Sequence, residues 1–227
     1  MEKPKVIFLD AVGTLFGVRG SVGEVYSAIA REFGVEVEGT RLEQAFYRSF
    51  QASDPLTFPQ VRITEIPERE LEWWRAVSRD TFERVGALEK FERFDDFFLR
   101  LYGHFATPKP WYIYPDIVPA LEQWREDAIE LGIISNFDSR LHAVLEGLDL
   151  RKFFKSITVS SNIGAAKPDP VIFHKALAKH DCEPRHAWHV GDSVKEDYEG
   201  AKEVGLRAIL LARPRPARSE SKGDRNE

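Results

Sequence analysis

The sequence predicts an α/β protein: a doubly wound parallel sheet with a block of four helices inserted after the first strand. Three observations predict it. A short apolar run at 6–9 ends at Asp10 and is followed by Gly13-Thr14, the pattern of a buried strand entering a tight turn. From Ser21 to Phe105 apolar residues recur at helical spacing. After Pro108, helix and strand patterns alternate, as crossover connections in a parallel sheet require.

The elements follow in order. Ser21-Val-Gly-Glu24 is a capping box opening a helix with Val22, Val25, Tyr26, Ile29 and Phe33 on one face. Thr40-Arg-Leu-Glu43 reads as a second capping box, ahead of Ala45, Phe46 and Phe50, and 54–65 reads as a loop. Pro67 suits the first position of a third helix carrying Leu71, Trp74, Val77, Phe82 and Val85. A fourth carries Phe91, Phe94, Phe98, Leu101, Tyr102 and Phe105. Four amphipathic helices make a small bundle with its own core. Most of its aromatics sit at core spacing, which leaves Trp73 and Phe97 to face a cleft.

Beyond the bundle the pattern predicts helices at 116–124, 141–148, 170–179 and 194–204, and strands at 131–134, 157–159, 188–190 and 208–211. Asp138, Asp169 and Ser193 read as N-caps, Asp169 ahead of Pro170. The resulting division is a first core part over 1–16, a helical domain over 17–108, a second core part over 109–212 and a tail over 213–227. The tail lacks an apolar period and is expected to be disordered.

Composition narrows the function classes. The chain has 227 residues, 43% of them hydrophobic and 30% charged, ordinary for a globular protein with a sizeable core. A net charge of −5 gives no global basic footprint for nucleic acid. The one cysteine, Cys182, excludes an internal disulfide framework and fits a reducing compartment. No apolar stretch is long enough for a membrane helix, and Asp10 interrupts the apolar run near the start, so a cytoplasmic protein is expected. His174, His180, Cys182, His186 and His189 crowd one stretch, but no pair has the spacing of a zinc site.

Four segments fall at or near the ends of strands: Asp10-Ala-Val-Gly-Thr14, Ser135-Asn136, Lys167-Pro168, and Gly191-Asp192-Ser193 with Asp197. In a parallel sheet ligands bind at the carboxyl ends of strands, so these segments converge. Asp10 and Asp192 then share a pocket, and two like charges there call for a cation or a retained proton. An oxygen-rich site of this kind suits magnesium together with a substrate phosphate. Lys167 adds positive charge, and Ser135 and Asn136 add donors for an anion. A carboxylate nucleophile, magnesium, a lysine and oriented donors make a phosphoryl-transfer site.

The ordered set F-L-D-A-V-G-T-L, I-I-S-N, A-A-K-P-D-P and H-V-G-D-S-V-K-E-D resembles the haloacid dehalogenase superfamily, over roughly residues 5–211. The helical block matches the cap that one branch carries between its first two motifs. The resemblance implies a Rossmann-like core with its active site at the cap junction. It implies that Asp10 is the nucleophile and forms an aspartyl-phosphate, and that Thr14 positions the first loop and lies at the phosphate site. Ser135, with Asn136 beside it, would bind the transferring phosphoryl group, and Lys167 would bridge that group and Asp10. Asp10, the carbonyl of Val12, Asp192 and Asp197 would hold magnesium. The partner implied is a small phosphorylated metabolite, with no nucleic acid or membrane, and the protein would be a monomer or weak homodimer.

One departure matters. Phosphatases of this family usually carry a second aspartate, as general acid and base, where this chain has Val12. General acid–base catalysis is worth about 10²–10⁴ in rate. The reading is a magnesium-dependent phosphomonoesterase with another proton source or a preference for good leaving groups. The family's dehalogenases also lack the second aspartate and use no metal, but usually have Ser-Asn where this chain has Gly191-Asp192. Its phosphonate hydrolases need a cap lysine, and this chain has none between Lys5 and Lys90. A binding or regulatory protein with a nearly silent site is the alternative from another class.

Overall fold

The computed structural model describes residues 3–213. In chain order it contains β1 (Val6–Leu9), β2 (Phe16–Val18), α1 (Val22–Glu32), α2 (Gly39–Ala52), α3 (Ile66–Arg84) and α4 (Phe94–Phe105). There follow β3 (Trp111–Ile113), α5 (Ile117–Glu126), β4 (Glu130–Ser135), α6 (Leu141–Gly147), β5 (Ser156–Val159) and α7 (Ser160–Ile163). The chain continues through α8 (Pro170–Ala178), β6 (Ala187–Gly191), a π-helical turn at Val194–Glu199, α9 (Gly200–Val204) and β7 (Arg207–Leu210).

Five parallel strands form one sheet in the order β5-β4-β1-β6-β7. Alternation along β1 builds two cores at once, because successive side chains point to opposite faces. Ile7 and Leu9 join Leu131 and Ile133 of β4 against α5 and α6. Val6 and Phe8 face the other way, onto Ile172, Phe173, Ala176 and Leu177 of α8 and Ala201 of α9. The chain runs from β1 to β4 and β5 on one side, then returns to β6 and β7 on the other. The reversal opens the crevice at the carboxyl end of β1, where such folds bind ligands.

The chain leaves the core through β2 and re-enters through β3. These two pair antiparallel, with Gly17 opposite Tyr112. Between them α1–α4 bury a separate cluster that includes Tyr26, Leu42, Phe46, Val77, Phe82, Phe97 and Phe98. Ser21 caps α1 through a complete capping box. At the amino-terminal end of the main sheet, His180 lies between Ser156 Oγ (2.7 Å from Nε2) and Glu130 Oε2 (2.6 Å from Nδ1).

Several local expectations change. Thr40 does not cap α2: the helix starts at Gly39 with Glu38 as N-cap, and Glu43 instead accepts a hydrogen bond from the Gly23 amide at 2.5 Å. Pro67 is the second residue of α3. The fourth helix begins at Phe94, because Leu88–Lys90 closes as a separate 3₁₀ turn. The helix expected at 194–204 opens as a π-helical turn before α9. Asp138 does not cap α6, whose N-cap is Arg140; it closes a turn by accepting the Arg140 amide at 2.9 Å. Phe97 is fully buried inside the bundle rather than facing a cleft. Trp73 packs against the bundle core and donates to the Asp54 carbonyl at 2.9 Å. Ser193 and Asp169 do cap their helices. Of the tail expected to be disordered, Arg213 is anchored to Asp116 (2.6 Å) and to the Thr14 carbonyl (2.8 Å), and 214–227 lies outside the described residues.

Candidate active site

The loop at 10–16 is set by short-range hydrogen bonds. The Asp10 amide donates to the Val190 carbonyl (2.9 Å), so the strand ladder holds Asp10 at the crevice. The amides of Thr14, Leu15 and Phe16 all point at the Ala11 carbonyl, at 3.3, 2.8 and 3.3 Å, which folds the chain into a tight turn. Gly13 makes this possible. Its φ of +92° is left-handed, and a Cβ there would lie 2.3 Å from Asp192 Oδ2. The Asp10 loop and Asp192 can meet only across a glycine.

Four charged side chains converge. Lys167 Nζ donates to Asp10 Oδ1 (2.7 Å) and to Asp197 Oδ1 (2.6 Å). Lys167, Asp10 and Asp197 are all buried. Ligand atoms of Asp10, Asp192 and Asp197 lie within 4.8 Å of one another. Burial acts against the Lys167 charge, but Asp10 and Asp197 outweigh it and push the ammonium up from its ordinary value. Burial pushes Asp10 up, with the Lys167 ammonium pulling against it. Both groups move up, for different reasons: the two carboxylates outweigh burial at Lys167, and burial outweighs the ammonium at Asp10. Asp192 is also pushed up by burial and then by Asp197.

Asp197, expected in the metal shell, stands in the acidic cluster and also takes three hydrogen bonds. Its Oδ1 accepts from Lys167 and lies 2.8 Å from His189 Nε2, and its Oδ2 accepts from the Ser193 amide at 3.0 Å. Burial would raise it, but the bonds to His189 and Lys167 prevail and hold it well below the usual carboxylate range. The His189 ring and the Ser193 amide therefore fix the carboxylate that aims Lys167.

Ser135 ends β4, buried at the same crevice. Asn136 is expected to bind phosphate, yet its side chain is committed elsewhere: Oδ1 accepts the Lys167 amide (2.7 Å) and Nδ2 donates to the Lys167 carbonyl (2.9 Å). A primary amide matches a backbone amide donor-for-acceptor, so Asn136 clamps the lysine segment. Thr14 is fully buried, and its hydroxyl has no partner among the described residues. Val12 packs partly buried against the core, bridged to Phe16.

Residues that sequence reasoning missed lie just behind these. His189, weighed in the sequence only with the histidines that lack zinc spacing, contacts Asp197 and is lowered from its ordinary value, first by burial. Glu196, read as a helix-start residue, is pushed up by burial, with Lys167, Asp197 and Asp10 all within electrostatic reach. No periodicity marks either residue, because their roles arise from contacts across the fold.

The residues present suit a divalent cation. Three carboxylates converge on one point, and only one cation, Lys167, touches them among the described residues. Oxygen ligands of this kind fit magnesium.

Comparisons with known proteins agree with this architecture. The family model for haloacid dehalogenase-like hydrolases matches residues 4–205. Haloacid dehalogenase-like hydrolase domain-containing protein 3 of Bos taurus is 34% identical over 212 residues, 93% of this chain and 83% of that protein. Among solved structures, a HAD phosphatase from Thermococcus onnurineus is 24% identical, with a TM-score of 0.59 and coverage of 98% of this chain and 89% of that one. A structure titled as a dehalogenase is 20% identical, with a TM-score of 0.66 over 96% of this chain and 90% of that one. The magnesium-bound HAD-hydrolase YfnB of Bacillus subtilis is 14% identical, with a TM-score of 0.67 over 92% of this chain and 89% of that one. At these identities the structural likenesses show the fold, which both reactions share.

Proposed function

The chain belongs to the haloacid dehalogenase-like hydrolase family, and within it we propose a magnesium-dependent phosphomonoesterase acting on a small phosphorylated metabolite. The fold serves phosphatase and dehalogenase alike, so the choice rests on the site. The observation that carries it is the meeting of Asp10, Asp192 and Asp197 within 4.8 Å. A halide-releasing enzyme that uses no metal has no cation to place among three carboxylates. A phosphatase gains a place for a cation.

In this reading the Asp10 carboxylate attacks phosphorus. The new Asp10 O–P bond forms as the bond from phosphorus to the leaving oxygen breaks, and the leaving oxygen takes a proton. Water then cleaves the aspartyl-phosphate, releasing inorganic phosphate and restoring Asp10. Lys167, aimed by Asp197, offsets negative charge beside Asp10. Ser135 and the unpartnered Thr14 hydroxyl offer donors to phosphate oxygens. Magnesium, held by Asp10, Asp192, Asp197 and the Val12 carbonyl, would neutralise phosphate charge. The helical insert would act as the cap that excludes water.

Val12 puts no acid beside the leaving oxygen. Aryl and acyl phosphates, whose leaving groups need little protonation, are therefore the favoured substrates.

The test is phosphate release from p-nitrophenyl phosphate and a panel of metabolite phosphates, with magnesium and with EDTA, alongside chloride release from 2-chloropropionate. Magnesium-dependent phosphate release is expected. Metal-independent chloride release would replace this reading with a dehalogenase, and silence in both assays from folded protein would favour the binding or regulatory alternative.

A further inference from the structure

Two side chains of the insert reach out of the bundle and bond to the core loop that follows Ser135. Glu70 and Trp74 stand four residues apart on α3, so they project from one face of the helix. Glu70 is fully buried. Its Oε1 accepts the Ser139 amide at 2.9 Å, and its Oε2 accepts the Ser139 hydroxyl. Trp74 Nε1 donates to Asp138 Oδ2 at 2.5 Å, and Asp138 too is fully buried.

The loop is closed from within by Arg140. Its guanidinium grips both Asp138 oxygens, Nε to Oδ1 at 2.9 Å and Nη2 to Oδ2 at 2.6 Å. It also lies over the Tyr102 ring of α4, 3.8 Å from the centroid, and donates to the Tyr102 carbonyl at 3.1 Å. The Asp138–Arg140 pair is local and survives without the insert. The bonds from Glu70, Trp74 and Tyr102 exist only when the insert is docked.

We infer that Glu70 and Trp74 are positioning residues for the loop at 136–140, so that the phosphate side of the site is shaped by the docked insert. The connection is continuous. Glu70 fixes Ser139; the same loop carries Asn136; Asn136 clamps the Lys167 backbone; and Lys167 Nζ meets Asp10. Apolar packing alone would hold two bodies together without dictating loop geometry. Buried hydrogen bonds dictate it, because each demands distance and direction. Ser135 lies one residue before the loop and Asn136 within it, so a displacement there moves the phosphate donors and the lysine together.

This inference rests on the phosphatase reading for its kinetic effect, though not for its structural one. The test uses the full chain and three variants. In Glu70→Ala, KM for p-nitrophenyl phosphate should rise about tenfold and inhibition by orthophosphate should weaken in parallel, while kcat changes less than about threefold. Glu70→Gln keeps an acceptor for the Ser139 amide and should recover most of that loss. Trp74→Phe keeps the ring, loses the N–H, and guards against an Ala variant that fails to fold. Amide hydrogen exchange read at Ser139 and Arg140 should quicken about tenfold in Glu70→Ala, with the bundle core around Val77 and Leu101 still protected.

Unchanged exchange at those amides, or a lowered melting temperature with KM and orthophosphate inhibition untouched, would overturn the positioning role. Wild-type protein that releases no phosphate would strike the phosphatase reading instead, and the exchange experiment would still decide this one.

Discussion

At the residue scale, the site depends on small choices at fixed points. Gly13 is one: a side chain there meets both a left-handed φ of +92° and the Asp192 carboxyl at 2.3 Å. Gly13→Ala should cost about 1–3 kcal/mol in stability and weaken magnesium binding by displacing Asp192, measured by thermal melting and calorimetric titration. An unchanged magnesium affinity would show that Asp192 tolerates the displacement. Val12 is another. Val12→Asp should raise kcat/KM for alkyl phosphates by about 10²-fold and change p-nitrophenyl phosphate hydrolysis little. A flat response across leaving groups would mean that another residue already supplies the proton. Asp10, Asp192 and Ser135 were legible in the sequence because each sits at a strand end, where topology forces convergence, whereas Lys167, beyond β5 and α7, was legible only through its motif. The clamp made by Asn136 and the aiming of Lys167 by Asp197 and His189 were not. They depend on which oxygen or nitrogen meets which, and spacing carries no such information.

At the element scale, the main sheet was readable because short, mostly apolar strands alternate with helical patterns, whereas the β2–β3 pair was missed. Each of those strands has three residues, too few for alternation to register, and their pairing joins positions nearly a hundred residues apart. The false cap at Thr40 has a related cause. Glu43, the residue that would complete the box, finds a tertiary partner in the Gly23 amide. The amino-terminal end of the sheet supplies a pH prediction. His180 is lowered from its ordinary value first by burial, while Glu130 pulls the other way. Glu130 is lowered, because bonds from Lys155 and His180 outweigh burial. The two partners shift in the same direction because Lys155 charges the Glu130 side of the pair and burial controls the imidazole. A histidine lowered in the folded state binds its proton more readily when unfolded. Its contribution to stability is thus present above about pH 6.5 and is lost as pH falls below that value. The melting temperature should drop between about pH 7 and pH 5.5, and less steeply in His180→Gln. A His180 ring that titrates above its ordinary value by NMR would contradict this.

At the scale of the whole molecule, one chain builds three apolar clusters, two on the faces of the sheet and one in the bundle. The sheet holds Asp10, Lys167 and Asp197 together at its carboxyl end. The bundle buries its own aromatics and spends a few polar side chains, Glu70 and Trp74 among them, on the core. The central claim is that Asp10 performs the chemistry at that junction, and Asp10→Asn tests it most directly. Substitution keeps the shape and an oxygen to accept from Lys167, and Lys167 retains Asp197 as a partner, so the fold should persist. The measurement is magnesium-dependent phosphate release by wild type and Asp10→Asn, with circular dichroism and melting on both. The account predicts a loss of more than about 10³-fold in kcat, with a melting temperature close to wild type. Turnover retained by folded Asp10→Asn protein would contradict it.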